Sequence, residues 1–306
     1  MPYILLTLAG IFWGGNYVIG HILVRNADPI ILSEARWAIT ALLLMLLYFP
    51  LVKQNWLKIK QCFGAVSFLA LCGQVLFPVT LYIGLQYTSS LNAAIYLSTA
   101  PCVSLFLNKI IFNDQITVNN VLGVILSLFG VIYLIFEGDI TNLSKLSTIN
   151  RGDLWAVASA LSWAFYCSFL RLKDQSIPGN AFVAVSSVIG AVILLPVVII
   201  YVSVTPVAPQ LSHYQQWPFL LGLAYLVIFP SWLSYLFWNK GINDIGATRG
   251  QIFTHITPLS GGLLSIVFLN VHPHYFHLVS VIVVAIGVYL CSKSSNNIFE
   301  KEKLSS

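Results

Sequence analysis

PVTLYIGLQYTSSLNAAIYLSTAPCVSLFLNKIIFNDQITVNNVLGVILSLFGVIYLIFEG, residues 78–138, is the stretch whose reading decides the fold. It contains the end of one apolar helix, a turn at Thr88-Ser89-Ser90 short enough only for a hairpin, and a second helix carrying Pro101. A polar break at Asn113-Asp114-Gln115 then leads into a third helix. In that third helix Gly123, Ser127 and Gly130 recur at helical spacing. One face is therefore smooth enough for another helix to approach backbone to backbone.

The same pattern returns from about Pro230 onward. With an offset of 157 residues, Gly84 falls on Gly241, Pro101 on Pro258 and Gly130 on Gly287, and Tyr96 falls on Phe253. Three punctuation residues sharing one offset in apolar sequence indicate an internal duplication.

Composition sets the solvent. Of 306 residues 58% are hydrophobic and 8% charged, and the mean hydropathy is +0.85, where a globular chain carries roughly 25% charged residues. So little polar surface cannot cover a water-soluble core of this size, and the excess apolar surface must face acyl chains. The net charge of +5 is scattered singly between apolar runs, which excludes a nucleic-acid stripe. The five cysteines, Cys62, Cys72, Cys102, Cys167 and Cys291, are odd in number and lack metal spacing, so they are assigned to packing.

Apolar runs of crossing length occupy about 3–23, 29–49, 62–86, 90–112, 118–137, 153–171, 181–203, 217–239, 246–269 and 275–292, each near the roughly 20 residues that span a bilayer. The expected fold is all-α and integral to the membrane, with ten helices. The first run has no basic leader or small-residue cleavage site and is read as retained. With the N-terminus in the cytoplasm, eleven of the 15 Lys and Arg residues fall inside, Arg25, Lys145 and Arg151 fall outside, and Arg36 lies within a span. That bias places both termini in the cytoplasm.

Five helices per copy is an odd number, so the copies enter the membrane in opposite senses. Two inverted repeats, 1–138 and 153–293, are thus expected around a polar linker at 139–152, with a cytoplasmic tail at 294–306. This is the architecture of many secondary carriers.

The cassette at 78–138, its repeat, the Trp13-Gly14-Gly15-Asn16 opening and Trp163 at the matching place in the second half resemble the drug/metabolite transporter superfamily, of the EamA type. Ala35-Arg36-Trp37, Tyr87-Thr88-Ser89 and Ala100-Pro101 also fit that pattern, and the resemblance spans essentially the whole chain. It implies a ten-helix efflux permease with a central cavity, without cofactor, that exports amino acids, related metabolites or toxic compounds across a bacterial inner membrane. The second half departs from the pattern at Asn239-Lys240-Gly241-Ile242-Asn243 and at His255.

Polar and aromatic residues at mid-membrane depth are the candidates for contact with a small-molecule substrate. Trp13 and Asn16 lie near the bilayer centre in the first helix, with Trp163 and Tyr166 at the matching places of the sixth. Each has an alternative role in packing or as interhelical glue. The third helix offers Gln74, Tyr82 and Gln86, of which Tyr82 is nearest the kink expected at Pro78. Helix four adds Tyr96, Ser98 and Thr99. Trp232, Tyr235 and Trp238 form a stripe of a kind more often found in a core. Pro101 and Pro258 free the carbonyls of Leu97 and Thr254 and are expected to break their helices. His255, beside the second break, is a candidate for substrate or proton binding, and Arg249 either snorkels to headgroups or captures an anionic ligand.

Glu34 is the sole carboxylate inside a span, so proton coupling would fall to Glu34 or His255, or transport uses no ion. The outer His272, His274 and His277 are not read as a metal site. Motifs of hydrolases and ATPases are missing, so no enzyme is expected. An uptake or exchange carrier and a channel of the same fold stay open as alternatives, as do a monomer and a homodimer.

Overall fold

In the computed structural model the chain is described except at residues 98, 114, 142–149, 206–210, 246–252, 255, 271, 288 and 291–306. The described residues form helices joined by short connections. Seven helices or helix stacks are long and apolar enough to cross a membrane: Pro2–Leu23, Pro29–Gln54, Phe63–Leu85, Ser90–Phe112, Arg151–Leu172, Gly179–Val204 and Trp217–Ile242. Three shorter apolar helices, Val118–Leu134, Ile256–Leu269 and Tyr275–Gly287, accompany them. Leu42, Leu46, Val192, Ile199, Leu263 and Phe268 are exposed on their outer faces, as lipid contact requires.

Two of the long stacks contain a π-helical turn. Helix α4 (Phe63–Ala70) runs through a π-helical turn at Leu71–Leu76 into α5 (Phe77–Leu85). In the same way α12 (Trp217–Leu226) passes through a π turn at Val227–Leu233 into α13 (Ser234–Ile245). Shifting 71–76 by 157 gives 228–233, so the two wide turns occupy corresponding places. Apolar periodicity does not announce a π turn, because one extra residue alters the register without altering the composition. Here the cause is visible at Pro230, which has no N–H to give the carbonyl of Leu226. The Ser231 hydroxyl donates to that carbonyl instead, at 2.7 Å.

The break expected at Pro101 lies a little earlier than the proline itself. Helix α6 (Ser90–Leu97) ends before Thr99, and α7 (Ala100–Phe112) carries Pro101 in its first turn. Proline is tolerated there, because first-turn N–H groups have no helical acceptor anyway. Pro258 lies in α14, described over Ile256–Leu269.

Helix α1 (Pro2–Leu23) packs on α13 and α14, whereas α9 (Arg151–Phe169) packs on α5, α6 and α7. The helix that opens each half thus nests against the other members of the bundle centre. Serine hydroxyls join these crossings by donating to backbone carbonyls: Ser159 to Phe77, Ser162 to Cys72 and Ser104 to Ala164. Helix α2 (Pro29–Gln54) packs along α10 (Gly179–Val204). The smooth face of α8 (Val118–Ile135) receives α15 (Tyr275–Gly287): a side chain at Gly130 would meet Val284 and Ser280, and one at Gly287 would meet Gly123 and Ser127.

Where α9 begins, the Asn150 side chain accepts from the N–H groups of Gly152 and Asp153, and Asp153 accepts from the Asn150 N–H in return. Thr88, in the turn after α5, donates to the other Asp153 oxygen at 2.7 Å. Asn150→Ala should therefore lower stability by about 1 kcal/mol through the lost cap. The check is the thermal unfolding of purified protein in nanodiscs.

Candidate functional site

At the bundle centre a cation sits among neutral groups. Arg36 is 2% exposed, Asn16 1%, and Tyr82 and Ser231 are fully buried. The Arg36 Nε donates to Ser231 Oγ, while Nη1 donates to Tyr82 OH at 2.7 Å and to Asn16 Oδ1 at 3.1 Å. Tyr82 OH in turn donates to Asn16 Oδ1 at 2.9 Å. A guanidinium has five N–H donors, and three are used. The two protons of Nη2 meet no acceptor among the described residues. Nor does any carboxylate pair with Arg36: Glu34, two positions away on α2, has a buried oxygen of its own without a partner.

Each element delivers its residue for a local reason. Helix α1 can approach because Gly20 leaves room for the Tyr82 ring, where a Cβ would come within 2.7 Å. The second π turn holds Ser231 between Arg36 and the orphaned Leu226 carbonyl, so that its one hydroxyl both accepts and donates. The Arg36 guanidinium also lies 5.0 Å from the centre of the Trp37 ring and 5.9 Å from that of Tyr82, within reach of cation–π attraction.

Next to this network is an aromatic chamber that is closed, its rings packed against one another. The Trp13 ring lies 5.2 Å from Trp163, 5.8 Å from Tyr235 and 5.2 Å from Trp238. Trp163 stacks on Tyr166 at 5.0 Å, and Tyr235 meets both Tyr166 and Trp37 edge to face at 5.9 Å. The carbonyls of the wide turns anchor the rings: Trp13 Nε1 donates to Pro230 at 3.1 Å and Tyr235 OH to Gly73 at 3.2 Å. Tyr166 OH and Trp37 Nε1 are buried without a partner. Trp37 and Tyr235 therefore link the cation to the chamber.

Trp163 also faces a partly open, apolar cavity lined by Leu97, Ala100, Pro101, Ser104, Cys167 and Thr254. The cavity borders the break ahead of Pro101, where Thr99 donates back to the Tyr96 carbonyl. At the other end of the bundle Tyr201 OH donates to Asp28 at 2.6 Å, and the Asp28 N–H donates to Tyr214 OH at 3.0 Å. Burial raises the Tyr214 phenol above its ordinary range, so it stays protonated at neutral pH.

The candidates read from the sequence separate into groups. Trp13, Trp163, Tyr166 and Trp238 converge in the chamber, and Asn16 and Tyr82 converge on Arg36. Tyr96 is buried but its ring joins none of the aromatic contacts described. Trp232 packs against Tyr48 at 6.5 Å instead of facing the chamber, because the π turn rotates it away from Tyr235 and Trp238. The Gln74 amide lies 3.3 Å from Ser186 on α10, and Gln86 is exposed. Arg249, Gln251 and His255 lie outside the described residues. Ser231 and the hub position of Arg36 were not among the candidates. A lone charge inside a span, which costs about 3 kcal/mol at a helix centre on insertion scales, was the signal available for Arg36. Among the described residues no group of three or more His, Cys, Asp or Glu side chains is placed to hold a metal ion.

Comparison with known proteins gives a consistent result. The sequence pattern of the EamA-like transporter family matches residues 1–136 and 150–293. The chain is similar to the uncharacterized transporter YyaM of Bacillus subtilis, 29% identical over 296 residues, covering 95% of this chain and 93% of that protein. It is also similar to an uncharacterized transporter of Archaeoglobus fulgidus, 25% identical over 299 residues, with 94% and 96% covered. A solved crystal structure aligns with a TM-score of 0.63 at 15% identity over 97% of this chain and 98% of its own, a likeness of fold alone.

Proposed function

The chain belongs to the EamA-like transporter family, and from that premise we propose that it is a secondary carrier exporting small metabolites, such as amino acids or related compounds, by alternating access. The seven long and three short apolar helices are read as ten spans in two inverted sets of five. The two separate family matches and the corresponding π turns support this reading. The excess of Lys and Arg on one side favours both termini in the cytoplasm of a bacterial inner membrane.

The observation that carries the proposal is the chamber between the halves. Trp13 comes from the first match and Trp163, Tyr166, Tyr235 and Trp238 from the second, and they meet where broken or widened helices leave carbonyls to be satisfied by side chains. A rocking of one half against the other parts such a contact from either side. Among the remaining candidates, Asn16 and Tyr82 would orient the ligand, Tyr96, Pro101 and Pro258 would border its path, and Arg249 and His255 would act at the cytoplasmic mouth and the second break. Proton coupling, if the cycle uses it, would involve Glu34 or His255.

Counterflow in proteoliposomes tests the carrier, with compounds chosen by comparing the medium of cells with and without overexpression. Saturable exchange is expected, and flux that rises linearly without counterflow would replace the carrier with a channel. Trp163→Ala should insert normally yet slow counterflow about tenfold, the equivalent of roughly 1.4 kcal/mol of lost ring contact. Unchanged exchange in that variant would remove Trp163 from the site.

A further inference from the structure

We propose that the transported compound is an organic anion whose carboxylate docks on Nη2 of Arg36 and whose apolar body replaces ring contacts of the aromatic chamber when the halves part. This names the substrate class of the carrier proposed above and rests on that reading.

The argument begins with charge. A guanidinium inside a bundle that faces lipid is stable only with partners, and those present are an amide oxygen, a phenol and a hydroxyl, all neutral. Three hydrogen bonds fix the orientation of the group without neutralising it. The remaining two donors share one nitrogen, Nη2, and diverge from it, so a carboxylate oxygen accepts a single charge-assisted bond there in place of the two-nitrogen fork.

The unmet groups around the chamber point the same way. Besides Nη2 they are Trp37 Nε1, which is a donor only, and the Tyr166 hydroxyl, which can donate. The Trp37 ring lies beneath the guanidinium and touches Tyr235. Donors left over in a buried region call for a guest rich in acceptors. The groups beyond Trp37 are carbon: the Trp13, Tyr235 and Trp163 rings pack within 6.1 Å of each other and offer an apolar surface once parted. An inorganic anion would satisfy Arg36 but would leave those rings no role, whereas an aryl or branched-chain carboxylate satisfies both.

The test is a titration of tryptophan fluorescence on the full chain in nanodiscs, with sodium benzoate, benzamide and sodium chloride as probes. Benzoate and benzamide share a ring and differ in charge. Benzoate should give a saturable change through the chamber tryptophans and bind at least about tenfold more tightly than benzamide, the range of a hydrogen bond to a charged group. Chloride should not displace it.

Arg36→Gln should bring the two aromatic probes to equal affinity. Should that variant fail to insert, Arg36→Lys keeps the charge but loses the planar group that its partners hold with Nη2 free, and benzoate affinity should still drop several-fold. Equal binding of benzoate and benzamide to the wild-type protein, or no benzoate binding, overturns the proposal. So does displacement of benzoate by chloride, which would mark Arg36 as an inorganic-anion site. Counterflow of neutral compounds alongside any of these results would leave the carrier standing and remove only the anionic substrate.

Discussion

Arg36→Met is expected to abolish counterflow and to lower the stability of the folded protein by about 2–4 kcal/mol. The size follows from two opposing effects. Three hydrogen bonds from a charged donor are lost, each worth about 1.5–3 kcal/mol. Against that, methionine spares the chain a buried charge that costs around 3 kcal/mol in mid-span. The loss wins, because Ser231 keeps its bond to the Leu226 carbonyl but loses its donor, and Asn16 and Tyr82 are left with only each other. Methionine fills similar space, so a cavity contributes little. The measurements are thermal unfolding in nanodiscs and counterflow on the same preparation. Wild-type values for both would make Arg36 a bystander.

Gly14→Val should be the most damaging single change to the packing, costing about 3 kcal/mol by overfilling a contact that is already closed. Even a Cβ at Gly14 would come within 2.6 Å of the Gly261 backbone nitrogen and would collide with the Ser260 side chain. Backbone cannot swing aside as a flexible side chain can, so α1 and α14 must separate. That separation carries Trp13 and Asn16 away from their partners, and counterflow should fall with stability. Gly64→Ala is the control. Nothing lies within 4 Å of a side chain there, and the better helix former should leave stability unchanged or improve it by up to about 1 kcal/mol. Equal losses at the two positions would show that the α1 and α14 approach is not the cause.

The apolar runs were legible in the sequence because lipid demands uninterrupted hydrophobic length, and helix positions followed within a few residues. Trp13 and Trp163 were legible as equivalent positions in the two halves, but the meeting of their rings was not. The π turns were not, since a single added residue leaves composition and apolar content as they were. Their effect explains why Trp232 departs from a stripe that would place it beside Tyr235. Arg36 was visible as a charge in a span, but its role was not. Its partners are 20, 46 and 195 residues away, and no local spacing encodes such a meeting. Sequence reasoning favoured Tyr82 for its nearness to a kink, and the structure gives it a chemical role as acceptor from Arg36 and donor to Asn16.

The wide turn at Leu71–Leu76 acts as a one-residue spacer within its span. An α-helix advances roughly 100° per residue, so the segment that follows is clocked by that single residue to aim Tyr82 toward the bundle centre. Chain length between the start of the span and this turn is thus as much a specification of the bundle centre as the identity of any side chain in it. Shortening the span by one residue would keep every contact-making group in the chain and still point the phenol away from the guanidinium.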